Sequence, residues 1–422
     1  MNESSFLGNA NAKTLTKNGT LLLCWRFLNS VPIGYMNVVP LIYLLEIGKS
    51  PEIVAAIYSF GTLSFTIGLI PFGMLADRYG RKKFTVIGGA IPALAYAIFG
   101  FTTNSSWLIF ASILGGIGFA GGIATSMSSP AFLALLADST SEKNRTTLFA
   151  LMQGITTAAY SLGSVLSFVP SSIGGELKIG LAEAHSLAFF IMSGLAIASI
   201  VPLLIVSETY NPKEIERKEN WPPNSRTRSL HFAIGRNAIQ FSVVFGLAGL
   251  GLGVIIQLIP TWLNLTYGVS EATAGAWIAI SNLISIGAIV LIPYWVRKRG
   301  TVITAAETLG LSSAFLFLMP FPNAFELSAI LYVARTFFVT IAWTVIQSYL
   351  LGVTASRERA SFYGLTNTIW GVTSSTGTIL GGFLLSRNLL SIPLFIGATA
   401  YSIAAAMFFL FFKGRRPPEE LP

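Results

Sequence analysis

Twelve separate stretches of about 20 or more mostly apolar residues run through this chain, each long enough to cross the hydrocarbon core of a bilayer as an α-helix. They lie near residues 20–45, 53–76, 84–103, 107–137, 146–170, 184–206, 234–265, 271–296, 301–319, 327–353, 361–386 and 389–412. In lipid every backbone polar group must find its partner inside the protein, so such stretches have little choice but to be helical. The composition agrees. Of the 422 residues 53% are hydrophobic and 11% charged, whereas a soluble domain carries about 25% charged residues and covers its surface with them. Lipid must cover most of this one. The reading is an all-α integral membrane protein with twelve transmembrane helices.

The polar opening segment, MNESSFLGNANAKTLTKNGT, precedes an apolar run too long for the core of a secretion signal, so the first stretch is expected to remain as a span. Basic residues then orient the molecule. With the N-terminus inside, every Lys and Arg except Lys49, Lys178, Arg335 and Arg387 falls in a cytoplasmic segment or at an inner helix end. The positive-inside rule therefore places both termini in the cytoplasm, in a cell membrane. The formal charge of +9 belongs to this topology and calls for no nucleic-acid partner. A single cysteine, Cys24, rules out an internal disulfide, and two histidines, His185 and His231, lie in or beside expected loops. No zinc or iron–sulfur spacing and no phosphate-binding G-x-x-x-x-G-K-[ST] loop is present, so no metal, no cofactor and no ATP-driven step is expected.

The longest polar interruption, Ser207 to Ser229, divides the spans six and six. Residues 1–206 and 232–422 read as two six-helix bundles joined by a cytoplasmic linker, 207–231. A shift of 220 residues superposes Pro40 on Pro260, Gly48 on Gly268, Ser50 on Ser270, Ala56 on Ala276 and Gly80 on Gly300, and a shift of 214 superposes Arg145 on Arg359 and Gly163 on Gly377. Two similar bundles that enclose a midplane site and tilt about it are the plan of an alternating-access carrier.

Between the second and third spans stands Gly73-Met74-Leu75-Ala76-Asp77-Arg78-Tyr79-Gly80-Arg81-Lys82. Here the chain closely resembles the major facilitator superfamily, whose G-x-L-A-D-R-x-G-R-[KR] signature is filled at every defining position. The second-half counterpart, Pro293 to Gly300, keeps the glycine and the basic residues but lacks the acid. Physically, Gly80 permits the sharp turn back into the membrane, and Asp77 suits a partner helix N-terminus. The resemblance implies that Asp77 docks near Ser361 at the start of the eleventh helix, that Arg81 pairs with Asp138, and that Arg145 completes a gating network with Gly73 and Arg78. These charge-assisted bonds would latch the outward-open state and break as the inner gate opens.

The resemblance also implies that the first, fourth, seventh and tenth helices line a central cavity. Helical spacing puts Asn29 and Asn37 on one face of the first, aligns Gln257 with Gly249 and Gly253 on the seventh, and aligns Arg335, Trp343 and Gln347 on the tenth. Gln153 and Tyr160 share a stripe on the fifth helix, and Asn367 and Trp370 one on the eleventh. All ten are candidate substrate contacts; the alternative for each is hydrogen bonding between helices. Arg335 stands out as a charge about 12 Å into its span, where a cation faces a cavity or a partner. A substrate carboxylate or phosphate is a plausible counter-ion. The carboxylates are telling in another way, for none of the 18 sits at mid-depth. Glu307, six residues into the ninth span, can reach Arg297, Lys298 and Arg299. Drug antiporters of the family often carry an Arg where this chain has Ser112, and a Gly-Pro pair where it reads Gly163-Ser164.

The resulting expectation is a monomeric secondary or facilitative carrier of a small organic solute, an organic anion being one candidate and a coupling ion being left open. A polyspecific exporter of amphipathic compounds is the rival within transport, and a non-transporting receptor or scramblase the rival outside it. A membrane enzyme would need a nucleophile, a base and an orienting acid at depth, and no such set is present.

Overall fold

The structure is a computed structural model that describes residues 16–115, 117, 121–140, 142–207, 236–353 and 359–414, without the side chains of 142–147, 236, 351, 352, 359–361 and 363. Its described residues form sixteen α-helices in chain order. In the first half these are α1 Lys17–Met36, α2 Val39–Glu46, α3 Pro51–Tyr79, α4 Arg81–Phe101, α5 Ser105–Leu114, α6 Gly122–Asp138, α7 Glu142–Val165, α8 Val169–Leu177 and α9 Leu181–Ile205. The second half holds α10 Arg236–Ile255, α11 Ile259–Tyr267, α12 Glu271–Arg299, α13 Thr301–Leu318, α14 Phe325–Val353, α15 Arg359–Ser386 and α16 Ile392–Phe412. Among the described residues, ten spans are long and apolar enough to cross a membrane. The other two expected spans differ for identifiable reasons. The fourth is interrupted, stopping at Leu114 and restarting at Gly122. The eleventh, α15, has the length but carries eight Ser and Thr between Ser361 and Thr378, which dilute its hydropathy.

The repeat seen in the sequence is a repeat of backbone events. Pro40 and Pro260 each fall in the first turn of the short helix, α2 or α11, that resumes a broken span. The first span breaks at Asn37, which caps α1, and the seventh breaks in the 3-10 turn Ile256–Leu258. Gly80 (φ 111°) and Gly300 (φ 80°) make the turns α3–α4 and α12–α13, in a backbone region that side chains resist. The basic residues Arg78, Arg81, Arg297, Lys298 and Arg299 mark that face of the molecule, here called the basic face; Glu46, Glu52, His185 and Glu271 mark the opposite, far face.

Within each bundle, small residues let helix backbones touch, the usual basis of packing where lipid is as apolar as the side chains. A Cβ at Gly34 would meet the Tyr160 carbonyl and one at Gly163 the Val31 carbonyl, so α1 and α7 are in backbone contact. In the second bundle Gly253 abuts the Ser374 carbonyl and Gly377 that of Leu250, joining α10 to α15 in the same way. Aromatic packing closes the basic-face end of the second bundle, where Phe241 lies 4.5 Å from Phe412 and 5.6 Å from Phe362, centroid to centroid.

Between the bundles, contact is concentrated from the midplane outwards. Gly371 of α15 rests on Thr66 of α3, Gly275 of α12 on Ser164 and Ser167, and Gly382 on Ala55. Among the described residues, the hydrogen bonds that cross between bundles run in this same half: Ser59 to the Ser375 carbonyl (3.1 Å), Thr261 to the Leu41 carbonyl (3.2 Å), Ser386 to Glu52 (2.6 Å) and His185 with Glu271 (3.0 Å).

Candidate functional site

The signature loop of the basic face forms a real charge cluster. Arg81, in the first turn of α4, donates from Nε to Asp77 at 3.0 Å and from Nη1 to Asp138, at the end of α6, at 2.7 Å. Lys82 donates to the Leu204 carbonyl of α9, and Arg78 lies over the ring of Tyr79. Gly73 faces Pro130 of α6 at ordinary contact distance. The Arg145 and Ser361 side chains lie outside the described residues. These two bonds of Arg81 join helices of one bundle, α3, α4 and α6.

A polar recess opens inside the first bundle at the break in the fourth span. It is lined by Asn29, Ile33 and Asn37 of the first span, Gly88, Pro92 and Tyr96 of α4, and Gly115, Ile117, Gly121, Thr125 and Ser128 around the break. The interruption follows from glycine: Gly115 ends α5 at φ 154°, and Gly121 and Gly122 start α6 at φ 68° and 63°. Asn29 is 7% exposed. Among the described residues the side-chain amides of Asn29 and Asn37 have no hydrogen-bond partner. No carboxylate and no cation stands on the wall. The arrangement offers both amides as hydrogen-bonding groups to water or to a polar group of a solute.

The other candidate residues are distributed differently. Gln257, 220 residues after Asn37, has its amide fully engaged: Nε2 donates to Ser374 Oγ at 3.1 Å and Oε1 accepts from Thr378 at 2.9 Å. It fastens α10 to α15 inside the second bundle. Gln153 is exposed on α7, and Tyr160 is half-buried beside Gly34. Trp343, Gln347, Asn367 and Trp370 are half-buried on α14 and α15, with Trp343 packed on Phe245 at 5.0 Å. Tyr35, by contrast, is fully buried and edge-on to Phe189. Ser112 is a packing residue, donating to the Ile57 carbonyl at 2.6 Å.

Arg335 is 4% exposed and lies in the second bundle, its guanidinium carbon 5.2 Å from the centre of the Tyr401 ring on α16. Its buried Nε and Nη2 have no hydrogen-bond partner. The ring face repays part of the desolvation, up to about 2 kcal/mol in a dry site, and the Tyr401 hydroxyl accepts from the guanidinium. Glu307, the other ionisable residue singled out in the second half, pairs with Arg299 at the basic face.

Sequence spacing gave no hint of a third cluster. Glu46, His185 and Glu271 come from three separate helix ends and meet at the far face with their ligating atoms within 4.8 Å of one another. Only the closeness of the α2, α9 and α12 ends brings them together.

Comparison with known proteins follows the fold. The chain is 25% identical over 394 residues to Multidrug resistance protein 1 of Bacillus subtilis, covering 92% of this chain and 94% of that one. Multidrug resistance protein 2 of the same organism is 27% identical over 330 residues, 76% of each chain. A mutant of the nucleoside transporter NupG superposes with a TM-score of 0.72 at 14% identity, covering 94% of this chain and all of that one. The sequence profile of the Major Facilitator Superfamily matches residues 26–308 and 241–422. With its duplicated helical bundles and filled signature loop, the chain belongs to the Major Facilitator Superfamily and is a multi-pass membrane transporter.

Proposed function

We propose that the chain carries a small organic solute, neutral or anionic, which binds at the break in the fourth span and is exchanged between the two sides by alternating access. The observation that carries this reading is the pair of free amides, Asn29 and Asn37, facing a recess whose wall holds no carboxylate. A cationic solute would find no counter-charge there. Arg335, with two unpartnered nitrogens, favours the anionic class within it. The far-face contacts fit a molecule closed on that side, and the basic-residue asymmetry makes the far face external, with both termini in the cytoplasm of a cell membrane. The bundles then correspond to residues 1–206 and 232–422, and the Asp77–Arg81–Asp138 cluster acts in gating.

The rival reading, a polyspecific exporter, draws on the likeness to the two multidrug resistance proteins and on the half-buried Trp343 and Trp370. A thermal-stability screen of the detergent-purified protein against organic anions, neutral sugars and nucleosides, and organic cations separates the two, since a ligand raises the midpoint of the state it binds. Stabilisation by anions or neutral solutes that is lost in Asn37→Ala supports the first. Stabilisation chiefly by bulky cations, unchanged in Asn37→Ala, overturns it in favour of the second.

A further inference from the structure

His185, Glu271 and Glu46 form a cluster that the transport reading does not use. His185 is 2% exposed and Glu271 7%, while Glu46 is exposed. The His185 ring is stacked on Tyr43 at 4.2 Å, which fixes its plane. Its Nδ1 lies 2.8 Å from the Leu181 carbonyl. A carbonyl only accepts, so Nδ1 carries the proton. Nε2 faces the Glu271 carboxylate, with both oxygens at 3.0 Å. A nitrogen and a carboxylate at that distance share a cation, either a proton on one of them or a metal ion in its place.

We propose that this cluster is a binding site for a divalent transition-metal ion, with Zn2+ the best match. Three observations converge on it. An imidazole whose far nitrogen is tied to a backbone carbonyl is the orientation that metal-bound histidines adopt. Charge closes as well: two carboxylates and a neutral imidazole balance one dication. The geometry is also suitable, because ligand atoms around a tetrahedral Zn2+ at about 2.1 Å stand roughly 3.4 Å apart. His185 and Glu271 are already within that spacing, and the exposed Glu46 side chain has the freedom to close in, leaving the fourth position to water. The nitrogen ligand disfavours Mg2+ and Ca2+, which prefer all-oxygen shells.

Glu46 and His185 belong to the first bundle and Glu271 to the second. An ion held here ties the bundles together at the far face, so it stabilises the far-closed state and must leave, or lose a ligand, when that side opens. By linkage, conditions that open the far side weaken the metal, and the metal opposes opening.

The test is calorimetric titration of chelator-stripped, detergent-purified protein with Zn2+ and separately with Mg2+, alongside thermal melting in both. The expected result is one Zn2+ per chain, a raised midpoint with Zn2+, and no response to Mg2+. Glu271→Gln and His185→Gln are expected to lose tenfold or more in affinity, in line with the loss of a ligand or its support. Glu46→Gln, at an exposed position that does not threaten folding, is expected to weaken binding while leaving the metal-free midpoint unchanged. Absence of Zn2+ binding in the wild type, binding that survives in Glu271→Gln and Glu46→Gln, or equal binding of Mg2+ would each overturn the proposal. A midpoint that responds to pH and not to Zn2+ would also overturn it, showing a proton-held clasp instead. None of these readouts depends on which solute is carried.

Discussion

Asn37 and Gln257 stand at equivalent helix breaks, 220 residues apart, yet one amide is free beside a recess and the other is closed by Ser374 and Thr378. The duplication preserved the position and the residue class, and the two bundles use it differently. Substitution at the two sites is therefore expected to separate binding from stability. Asn37→Ala should leave the melting midpoint of the ligand-free protein unchanged and reduce solute-induced stabilisation. Gln257→Ala should lower the ligand-free stability by about 1 kcal/mol, the scale of hydrogen bonds between membrane helices, and leave the solute response in place. Thermal melting with and without solute reads both.

Arg335 offers a sign test. Replacing a buried charge whose Nε and Nη2 are unbonded by an apolar side chain of similar length removes a desolvation cost, so Arg335→Met is expected to be as stable as the wild type or more so without ligand. Stabilisation by organic anions is expected to disappear in the same protein. A loss of several kcal/mol (the cost of breaking a satisfied ion network) together with an unchanged anion response would mark the arginine as purely structural.

The Arg81–Asp138 bond is partly exposed, so its removal should cost little stability, about 1 kcal/mol or less. Its expected effect is on the conformational equilibrium: Asp138→Asn should slow transport into vesicles by roughly tenfold, the scale of a typical conformational coupling, while binding of solute to the purified protein stays within twofold. An Arg81→Asp, Asp138→Arg double exchange that restores transport would show that the pair acts through its mutual contact.

Gly253 is pressed against the Ser374 carbonyl. Gly253→Ala must push α10 away from α15, and overpacking of this kind costs about 1–3 kcal/mol. The melting midpoint should fall clearly, whereas Gly310→Ala, at a helical position where an added Cβ meets nothing within 4 Å, should leave it unchanged or raise it slightly. Equal effects at both sites would mean that the close approach of the two helices is not what Gly253 secures.

Much of the architecture could be read from the chain because the forces that set it are local. Hydropathy over about 20 residues decides which segments enter lipid, and eleven of the twelve expected spans recur as continuous or once-kinked helical segments with ends displaced by a few residues. Gly80 and Gly300 were legible as turns, and Pro40 and Pro260 as matched positions, because backbone geometry depends on the residue itself. The pairing of Arg81 with Asp138 was implied by the family resemblance, and that of Glu307 with the Arg297-Lys298-Arg299 cluster by nearness along the chain. The fourth span was not: its glycine-rich stretch has the hydropathy of a continuous helix, and the break at Gly115 appears only in the backbone angles.

What the tertiary structure alone decided is the fate of each polar side chain. Helical spacing put Gln257 and Asn29 on faces, but which face meets another helix and which meets a recess depends on packing angles and rotations that no local pattern encodes. Gln257 turned out to be bonded across to α15 and Asn29 to be free. The same holds at the far face, where Glu46, His185 and Glu271 are separated by 139 and 86 positions and share no spacing. They meet because two bundles lean together on that side, and the sequence, which fixes what each helix end carries, does not fix which ends come to lie against one another.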